Sequence, residues 1–520
     1  MFRRRQLLKA ALAAAGIALA PKVAARNPAR RLRSPRSPFN LGVASGYPTH
    51  DGMVLWTRLA LDPFDVTEVL YDGDIVVDYD IALDTDFKRI VQSGAVRAEA
   101  RYHHSVHLEV RGLPSNQAVF YRFRSGGHVS ATGRSWTAPA DTQLLPALRV
   151  AVASCQHYEQ GYFHAYRHML ETGTDLILHL GDYIYENNTG RPVRQHDRGE
   201  CLTLDDYRLR YAWYRSDPML QDAHAACPWL LTHDDHEVDN DYAADQSEHP
   251  EEQAGFLLRR AAAYQAYWEN LPLPQRARPN GPDMLLHTAS PIGALLQLNM
   301  LDTRQYRSPQ ACPAPPRRGG TRVVVERCDE WHRDDRSMLG ATQEAWLDVQ
   351  LRRSQSRWNI LAQGMVFSWV DEDPGPDTVN WNDSWAGYPA ARQRVLQSIA
   401  ASGVSNPLIL GGDIHAFIAG DQRALPGDPQ TPIVASELVT TSITSGPPPK
   451  SVIDAYNRDD TRDVSFADGD HRGYLQLEIT PQRLTALAVG FASVRESEAT
   501  AKTLARFSLE NGQRGLQRER

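Results

Sequence analysis

The stretch Asp175-Leu-Ile-Leu-His-Leu-Gly-Asp-Tyr-Ile-Tyr-Glu186 decides the fold class. Residues 176–180 form an apolar run of strand length that ends at Gly181, which predicts a buried strand followed by a loop. The loop carries Asp182 and Tyr185 to the carboxyl end of the strand, where open α/β sheets place their ligands. Asp182 offers a hard oxygen, and Tyr185 offers a phenol that can bind a metal as phenolate. Taken alone, the stretch also fits a helix N-cap followed by packed aromatic residues.

Three further apolar runs of strand length end in polar residues of the same kinds. They are Leu148-Arg-Val-Ala-Val-Ala153 before Ser154-Cys155-Gln156, Pro228-Trp-Leu-Leu231 before Thr232-His233-Asp234-Asp235-His236-Glu237, and Pro407-Leu-Ile-Leu410 before Gly411-Gly412-Asp413-Ile414-His415. Four strand ends in one sheet would converge on a pocket that can hold more than one metal ion. The repetition therefore favours a metal site over four unrelated capped turns.

The N-terminal residues have the features of an export signal. The basic head Arg4-Arg5-Gln6-Leu7-Leu8-Lys9 precedes an apolar, Ala-rich run and the small residues Val23-Ala24-Ala25. The head resembles the twin-arginine pattern, although Arg3 stands where Ser or Thr is usual. We predict a twin-arginine-like signal peptide in residues 1–26, the twin-arginine export machinery as a partner, and a periplasmic or secreted protein. An ordinary secretory signal or an uncleaved membrane anchor are the alternatives, and residues 27–38, rich in Pro, Ser and Arg, are predicted to be a linker.

Length and charge limit the class of the remaining chain. A length of 520 residues predicts two domains. The net charge of -7, with dispersed basic residues, gives no sign of a nucleic-acid-binding module. After the N-terminal segment no stretch is long and apolar enough to span a bilayer, so we expect a mature chain without a stable membrane span, and a monomer.

The five cysteines are expected to have different roles. Cys312 and Cys328 flank a loop rich in Pro, Gly and Arg and are predicted to close it as a disulfide, and Cys201 and Cys227 are a second predicted pair. Cys155 is left over at a predicted strand end, which favours a thiolate metal ligand.

Two kinds of secondary-structure pattern divide the chain. Residues 39–140 contain short alternating or aromatic-rich segments punctuated by Gly and Pro, which predicts a β-sandwich of fibronectin or immunoglobulin type. In residues 147–490 strands alternate with helical patterns, which predicts an α/β sandwich. Its predicted elements include a helix that begins after the capping-box pair Thr203 and Asp206, a helix over 253–270, a helix over 343–354, and a terminal hairpin over 474–489. Residues 491–520 are predicted to be a C-terminal tail.

The fuller motifs resemble the alkaline phosphatase D (PhoD) family of the metallophosphoesterase superfamily. The resemblance covers residues 39–489 and implies a β-sandwich domain followed by a four-layer metallophosphoesterase α/β sandwich, which hydrolyses phosphomonoesters and phosphodiesters at a site with Fe3+ and Ca2+. The matching strings are Gly42-Val-Ala-Ser-Gly46, Leu55-Trp-Thr-Arg58, Ser154-Cys-Gln156, Leu180-Gly-Asp-Tyr-Ile-Tyr-Glu186, Asp205-Asp-Tyr-Arg-Leu-Arg-Tyr211, Asp234-Asp-His-Glu-Val238, Leu301-Asp-Thr-Arg-Gln-Tyr-Arg307, Gly387-Tyr-Pro389 and Gly412-Asp-Ile-His415.

The resemblance also implies a ligand set. Thiolate and phenolate ligands offset the high charge of ferric iron, and carboxylate and amide oxygens suit calcium. Asp239 or Asp241 is an alternative to Asn240 in the calcium set. Asp235 stands where many metallophosphoesterases have Asn, which favours a hard cation over zinc. The implied ligands are Cys155, Asp182, Tyr185 and His415 around Fe3+, with Asp182 bridging, and Asp235, Asp413 and Asn240 around Ca2+.

The expected reaction is attack on phosphorus by a metal-activated water or hydroxide. His236 is the candidate for stabilising or protonating the leaving group, with a core histidine or a histidine that contacts a metal ligand as the alternative. Arg304, together with Arg307, is the candidate for holding phosphate, with salt bridges around Asp302 as the alternative. Two other functions stay open: a phospholipase D-like or nucleotide-directed phosphodiesterase of the same superfamily, and a non-catalytic wall- or glycan-binding protein. A surplus of carboxylates argues against the last, because structural metal sites are usually closed.

Overall fold

The computed structural model describes residues 29–67, 70–190, 192–196, 199–458 and 463–519. The predicted signal peptide, residues 1–26, lies outside the described residues. The α-helices are α1 (His164–Glu171), α2 (Leu204–Arg215), α3 (Pro218–Ala226), α4 (Phe256–Asn270), α5 (Gly340–Arg353), α6 (Pro389–Ser402) and α7 (Lys450–Tyr456). The strands are β1 (Arg30–Arg31), β2 (Val43–Thr49), β3 (Gly52–Arg58), β4 (Ile75–Ala82), β5 (Ile90–Ala98), β6 (Ser105–Val110), β7 (Ala118–Ser125), β8 (His128–Val129), β9 (Gly133–Trp136), β10 (Leu148–Ala153), β11 (Leu176–His179), β12 (Trp229–Leu231), β13 (Thr288–Ile292), β14 (Leu296–Met300), β15 (Arg322–Val324), β16 (Trp358–Ala362), β17 (Val379–Trp381), β18 (Pro407–Gly411), β19 (Phe417–Arg423), β20 (Ile433–Val439), β21 (Val464–Asp468), β22 (Arg472–Ile479), β23 (Arg483–Phe491), β24 (Ala501–Glu510) and β25 (Gln517–Glu519).

The N-terminal region is a β-sandwich, as predicted. One layer is the sheet formed by β1, β4, β5, β7, β8 and β9, and the other is formed by β2, β3 and β6. Val77 and Phe123 from the first layer and Leu55 and Val106 from the second are fully buried in one apolar cluster. The second layer is also the end of a ten-stranded sheet that continues into the rest of the chain. The sandwich is therefore joined to the α/β region by backbone pairing, since Gly46 of β2 pairs with Trp229 of β12.

The predicted linker is partly ordered as a strand, so this prediction is wrong for its described residues. β1 pairs in parallel with the start of β4, and the Arg30 backbone N–H donates to the Asp74 carbonyl at 3.0 Å. Arg31 forms an ion pair with Asp78. β1 completes the part of β4 that extends beyond its pairing with β7, so the backbone groups at this edge are satisfied.

Two mixed sheets face each other in the α/β region. In the ten-stranded sheet β10, β11 and β12 run parallel, and in the seven-stranded sheet β14, β16, β18 and β20 run parallel. Helices α1, α3 and α4 pack against the first sheet, and α6, with α5 beside it, packs against the second. Both sheets contribute to one buried core, which confirms the four-layer sandwich. No helix in the described ranges combines the length and apolar character needed to cross a membrane.

The four polar strand ends belong to two sheets, so the expectation of a single sheet is wrong. β10, β11 and β12 lie in the ten-stranded sheet and β18 lies in the seven-stranded sheet. The ends still converge, because the segment after β20 crosses from one sheet to the other. Thr440 donates its backbone N–H to Gly411 at 2.9 Å and its hydroxyl to Val152 at 3.0 Å. The polar loops therefore meet between the sheets.

The C-terminal residues extend the ten-stranded sheet. The predicted hairpin is present as β22 and β23, but the predicted tail, residues 491–520, contains β24 and β25. Ala505, Phe507 and Leu509 of β24 are buried at alternate positions. This period of two is the signal of a half-buried strand, so the prediction of a tail is wrong.

The predicted helices are present with shifted starts. Thr203 accepts the backbone N–H of Asp206 and Asp206 accepts that of Thr203 at 2.9 Å, which confirms the capping box of α2. Helix α4 begins at Phe256 rather than at residue 253, because residues 250–252 form a separate 3-10 turn.

The cysteine predictions have a mixed outcome. Cys312 and Cys328 form the predicted disulfide, with an S–S distance of 2.06 Å. Cys201 and Cys227 are separate buried thiols, so the second predicted pair is wrong. Each packs in the apolar core, and the thiol of Cys227 points back to the Ala223 carbonyl at the end of α3.

Candidate metal centre

Four of the predicted ligands lie on left-handed backbone directly after strands. The φ angles are 56° at Cys155, 55° at Asp182, 67° at Asp413 and 58° at His415. This region is unfavourable for residues with a Cβ atom, and such residues concentrate at functional sites. The loops are tied together, since the Cys155 N–H donates to Gly181 at 3.1 Å. The backbone therefore directs side chains from both sheets to one place.

The first side-chain group contains a thiol, a carboxylate, a phenol and an imidazole. Ligand atoms of Cys155, Asp182 and His415 all lie within 4.8 Å of one another. The Tyr185 hydroxyl donates to Asp182 Oδ2 at 2.8 Å and lies 3.1 Å from His415 Nε2. His415 Nδ1 lies 2.8 Å from the Gly446 carbonyl, to which it donates, so Nε2 presents its lone pair to the group. The structure therefore brings together all four residues predicted around iron.

A second group consists of carboxylates. Ligand atoms of Asp234, Asp235 and Asp413 lie within 4.8 Å of one another, and the same limit holds for Asp182, Asp235 and His236. Asp182 thus lies between the two groups, and its Oδ1 atom is buried without a hydrogen-bond partner among the described residues.

Asp234 belongs to this group but was not predicted as a ligand. A Cβ atom at Gly181, which has φ 116°, would lie 2.4 Å from the Asp234 Cβ, and one at Gly364 would lie 2.8 Å from its carboxyl carbon. Glycine at both positions therefore allows the backbone to close around this carboxylate. The available sequence signal was its place beside Asp235 at a strand end.

Asn240 lies at the border of the carboxylate group. Its backbone N–H donates to Glu186 Oε1 at 3.1 Å and its side-chain amide donates to Glu248 Oε2 at 3.0 Å. Of its predicted alternatives, Asp239 pairs with Arg259 at 3.1 Å, whereas the Asp241 N–H donates to Asp235 Oδ2 at 2.7 Å. Asn240 and Asp241 therefore remain candidates for the calcium set, and Asp239 does not.

Arg304 is buried behind the carboxylates, which does not match the expected phosphate contact. Its side chain is 0% exposed, Nε donates to Asp234 Oδ1 at 2.5 Å, and Nη1 donates to Asp383 Oδ2 at 2.8 Å. Nη2 lies 3.5 Å from Asp235 Oδ2 and 3.8 Å from Asp413 Oδ1. Salt bridges of Arg304 were the alternative, but they involve these carboxylates and not Asp302. Arg304 fixes acidic side chains in place.

The pKa shifts record an excess of negative charge. Burial, followed by repulsion from Asp234, raises the pKa of Asp413 well above its usual value. Burial, followed by repulsion from Asp383 and Asp235, does the same to the pKa of Asp241. Five carboxyl groups share two guanidinium groups here, those of Arg304 and Arg307. The five are Asp234, Asp235, Asp241, Asp383 and Asp413. A bound cation would offset the remaining charge.

His236 lies at the open side of both groups. Its Nδ1 atom lies 2.7 Å from Glu186 Oε2, and its side chain is 15% exposed. Burial opposes its charged form, but the carboxylates of Glu186, Asp235 and Asp182 together raise the pKa of His236 well above its usual value. Solvent therefore reaches the His236 imidazole beside these carboxylates, so it is not a packed core histidine.

The fold is a four-layer α/β sandwich. Between its two sheets, Cys, Tyr and His side chains lie beside a group of carboxylates. This combination of fold and site defines a phosphatase of the metallophosphoesterase type. Two family models match the chain: that of PhoD-like phosphatases over residues 150–488 and that of the N-terminal domain of PhoD-like phosphatases over residues 23–139. The chain belongs to the PhoD-like phosphatase family.

Comparison with individual proteins agrees with this membership. The chain is 39% identical over 531 residues to alkaline phosphatase D of Bacillus subtilis (strain 168), which covers 99% of this chain and 89% of that protein. It is also similar to a solved structure described as "Structure of PhoD", with a TM-score of 0.87 and 39% identity over 94% of this chain and 93% of the other. The protein is therefore an enzyme, a phosphoric ester hydrolase of the PhoD type, and the non-catalytic alternative is set aside.

Proposed function

We propose that the protein is an exported, metal-dependent phosphatase that hydrolyses phosphomonoesters and phosphodiesters with Fe3+ and Ca2+ at its centre. The observation that carries this function is the position of Asp182 between the thiol–phenol–imidazole group and the carboxylate group. Two groups of different donor chemistry that share one carboxylate are suited to two kinds of cation.

The donor set around Cys155 fits ferric iron. Burial, followed by the charge of Asp182, raises the pKa of both the Cys155 thiol and the Tyr185 phenol well above their usual values. Their anions therefore form only beside a strong positive charge. Fe3+ supplies such a charge and accepts thiolate, phenolate, carboxylate and imidazole ligands. Cys155, Asp182, Tyr185 and His415 would hold it.

The carboxylate group fits calcium. Asp234, Asp235 and Asp413 offer several hard oxygens within a short distance, and calcium takes six to eight oxygen ligands in flexible geometry. Asp235 and Asp413 would hold Ca2+, with Asn240 or Asp241 completing the set. Arg304 would set the positions of these carboxylates rather than contact phosphate.

The bound cations and the side chains around the centre would have different roles in hydrolysis. Bound cations would supply the charge that polarises the phosphate oxygens and makes water at the site more acidic. His236 is placed to give a proton to the leaving oxygen, because solvent reaches it and the neighbouring carboxylates raise its pKa. Glu186 holds Nδ1 of His236, which leaves Nε2 for the substrate.

We further propose that residues 1–26 are a twin-arginine-like export signal and that the mature protein is a periplasmic or secreted monomer. Its two domains would be the β-sandwich over residues 39–140 and a catalytic region that starts near residue 147 and includes β24 and β25. Support for export comes from the basic head and apolar run of the sequence.

The test compares metal content and turnover in three purified proteins: wild type, Cys155→Ser and Cys227→Ser. Cys227 is a buried free thiol outside the centre and is a matched control. We expect iron and calcium in wild type and in Cys227→Ser, loss of iron in Cys155→Ser, and hydrolysis of p-nitrophenyl phosphate and bis(p-nitrophenyl) phosphate that follows the iron. Full activity with zinc or manganese in Cys155→Ser would contradict the metal assignment.

A panel of substrates that includes nucleotides and phospholipids would separate the narrower phosphodiesterase specificities.

A further inference from the structure

The segment after β20 contacts two of the four side chains in the thiol–phenol–imidazole group, those of Tyr185 and His415, and the backbone of a third residue, Cys155. The Ser445 hydroxyl lies 2.7 Å from the Tyr185 phenol oxygen and 2.8 Å from the Cys155 carbonyl. The next residue, Gly446, accepts from His415 Nδ1 at 2.8 Å. Ser445 is 1% exposed. Its hydroxyl therefore lies inside the centre, although neither the motifs nor the spacing of the sequence pointed to it.

Several hydrogen bonds fix the position of Ser445. Its backbone N–H donates to the Cys155 carbonyl at 3.2 Å, and its own carbonyl accepts from Arg472 Nη1 at 2.7 Å and from the Ser442 hydroxyl at 2.6 Å. A hydroxyl held by a fixed backbone has little freedom apart from rotation about its C–O bond. Its proton can point to either the Cys155 carbonyl or the Tyr185 oxygen.

Once the Tyr185 phenol is ionised, the other neighbours of its oxygen decide whether the Ser445 proton points to Tyr185 or to the Cys155 carbonyl. The Tyr185 oxygen has three hydrogen-bond neighbours among the described residues: Asp182, His415 and Ser445. Asp182 would carry no proton once its carboxylate binds a cation, and His415 uses its proton on Gly446. Ser445 is the remaining donor, and a hydrogen bond to a charged oxygen is about twice as strong as one to a neutral carbonyl.

We propose that Ser445 is a positioning residue that donates its hydroxyl proton to the Tyr185 phenolate and so sets how strongly this phenolate gives electron density to the ferric ion. This role depends on the proposed metal-dependent function. The donated hydrogen bond stabilises the anion, which favours ionisation of the phenol and holds its electrons more tightly. Without it, the phenolate-to-iron charge-transfer band moves to longer wavelength.

The test uses the full-length protein loaded with Fe3+ and read by visible absorption and by iron affinity, without an activity measurement. Ser445→Ala is compared with wild type and with Thr444→Val, which removes a neighbouring buried hydroxyl that donates to His157 and not to Tyr185. In Ser445→Ala we expect a band at longer wavelength and an iron affinity lower by about 10- to 100-fold. Thr444→Val keeps both wild-type values.

A second variant separates this role from general loosening of the segment. Ser445→Cys keeps a weak S–H donor, so its band is expected between those of wild type and Ser445→Ala, whereas loss of packing would broaden or abolish the band in both variants. If the charge-transfer band of Ser445→Ala lies at the same wavelength as that of wild type, the proposed role of Ser445 is wrong and the metal assignment stands. Absence of a charge-transfer band in the iron-loaded wild type overturns the metal assignment and this role together.

Discussion

The Nδ1 atom of His236 lies 2.7 Å from Oε2 of Glu186. The ring of Tyr185 packs against the same imidazole at a tilt of 32°, with 4.1 Å between ring centroids, and stacks on His157 with 4.5 Å between centroids. Glu186 and the Tyr185 ring therefore hold the orientation of His236. The proposed proton donor and the proposed metal ligand Tyr185 are in direct contact.

His236→Asn is expected to lower kcat by about 10²- to 10⁴-fold on alkyl phosphate esters, because the alkoxide leaving group needs a proton. The loss should be much smaller on p-nitrophenyl esters, whose leaving group is stable as an anion. Steady-state kinetics on both substrates measures the difference. Glu186→Gln, which keeps the shape but removes the charge beside Nδ1, should show the same selectivity with a smaller loss. Equal losses on both substrates would argue against proton donation.

Arg304→Met is expected to destabilise the metal-free protein near pH 7 by about 3–5 kcal/mol, because buried carboxylates lose their counter-charge. Added calcium should recover part of the loss, since it supplies positive charge to the same groups. Chemical unfolding with EDTA and with calcium measures both effects. Arg327→Met is the control, because both partners of its pair with Asp377 are exposed, at 72% and 40%, and its loss should cost less than about 1 kcal/mol. No response of Arg304→Met to calcium would contradict the expectation.

His179→Leu is expected to reduce the acid sensitivity of the fold. Burial lowers the pKa of His179 to about 3, while an unfolded histidine has a pKa of about 6.5. Between these values the unfolded chain binds more protons, so the free energy of unfolding decreases as pH falls from about 6.5 toward 3, by up to about 1.4 kcal/mol per pH unit.

The substitution removes this contribution and also removes two ring nitrogens that have no hydrogen-bond partner among the described residues. Unfolding curves between pH 4 and 8 should therefore be flatter for the variant. A variant as acid-sensitive as wild type would show that other groups dominate.

Reduction of the Cys312–Cys328 disulfide is expected to lower the free energy of unfolding by about 3 kcal/mol, as for closure of a loop of this length. The loop also contacts the carboxylate group, since the Gly320 N–H donates to Asp241 Oδ2 at 2.8 Å. Calcium affinity should thus fall in a Cys312→Ser/Cys328→Ser variant, while iron affinity changes little. Isothermal titration with each metal measures this, and equal losses for both metals would indicate a general loss of structure.

Local patterns predicted much of the fold and of the site. The strand ends at Cys155, Asp182, Asp235 and Asp413 could be recognised because apolar runs and the polar residues after them are adjacent in sequence. The assignment of these strands to two sheets could not be predicted, because pairing between distant segments leaves no local signal in the sequence. Arg304 was misjudged for a similar reason: its partners Asp234 and Asp383 lie 70 and 79 residues away.

The remaining errors have other causes. The prediction that Cys201 pairs with Cys227 rests on the cysteine count of an exported chain, which leaves Cys155 over, and a count carries no information on distance. In β24 the apolar residues Ala505, Phe507 and Leu509 alternate in the sequence, which is the pattern of a half-buried strand. The position of Ser445 could not be predicted, because the contacts of a serine in a loop depend on the distant segments that fold against it.

The continuity of the ten-stranded sheet constrains the order in which the chain acquires structure during synthesis. The Tyr47 hydroxyl donates to the Leu231 carbonyl across 184 residues, and β22 to β25 join the same sheet from the end of the chain. The N-terminal strands β2 and β3 emerge from the ribosome long before the strand that covers their open edge. Non-local pairing of this kind is slow and leaves unpaired edges open to aggregation. The two regions that look separable along the sequence therefore mature as one unit, and a nascent fragment ending near residue 140 would need chaperone protection of the β2 edge.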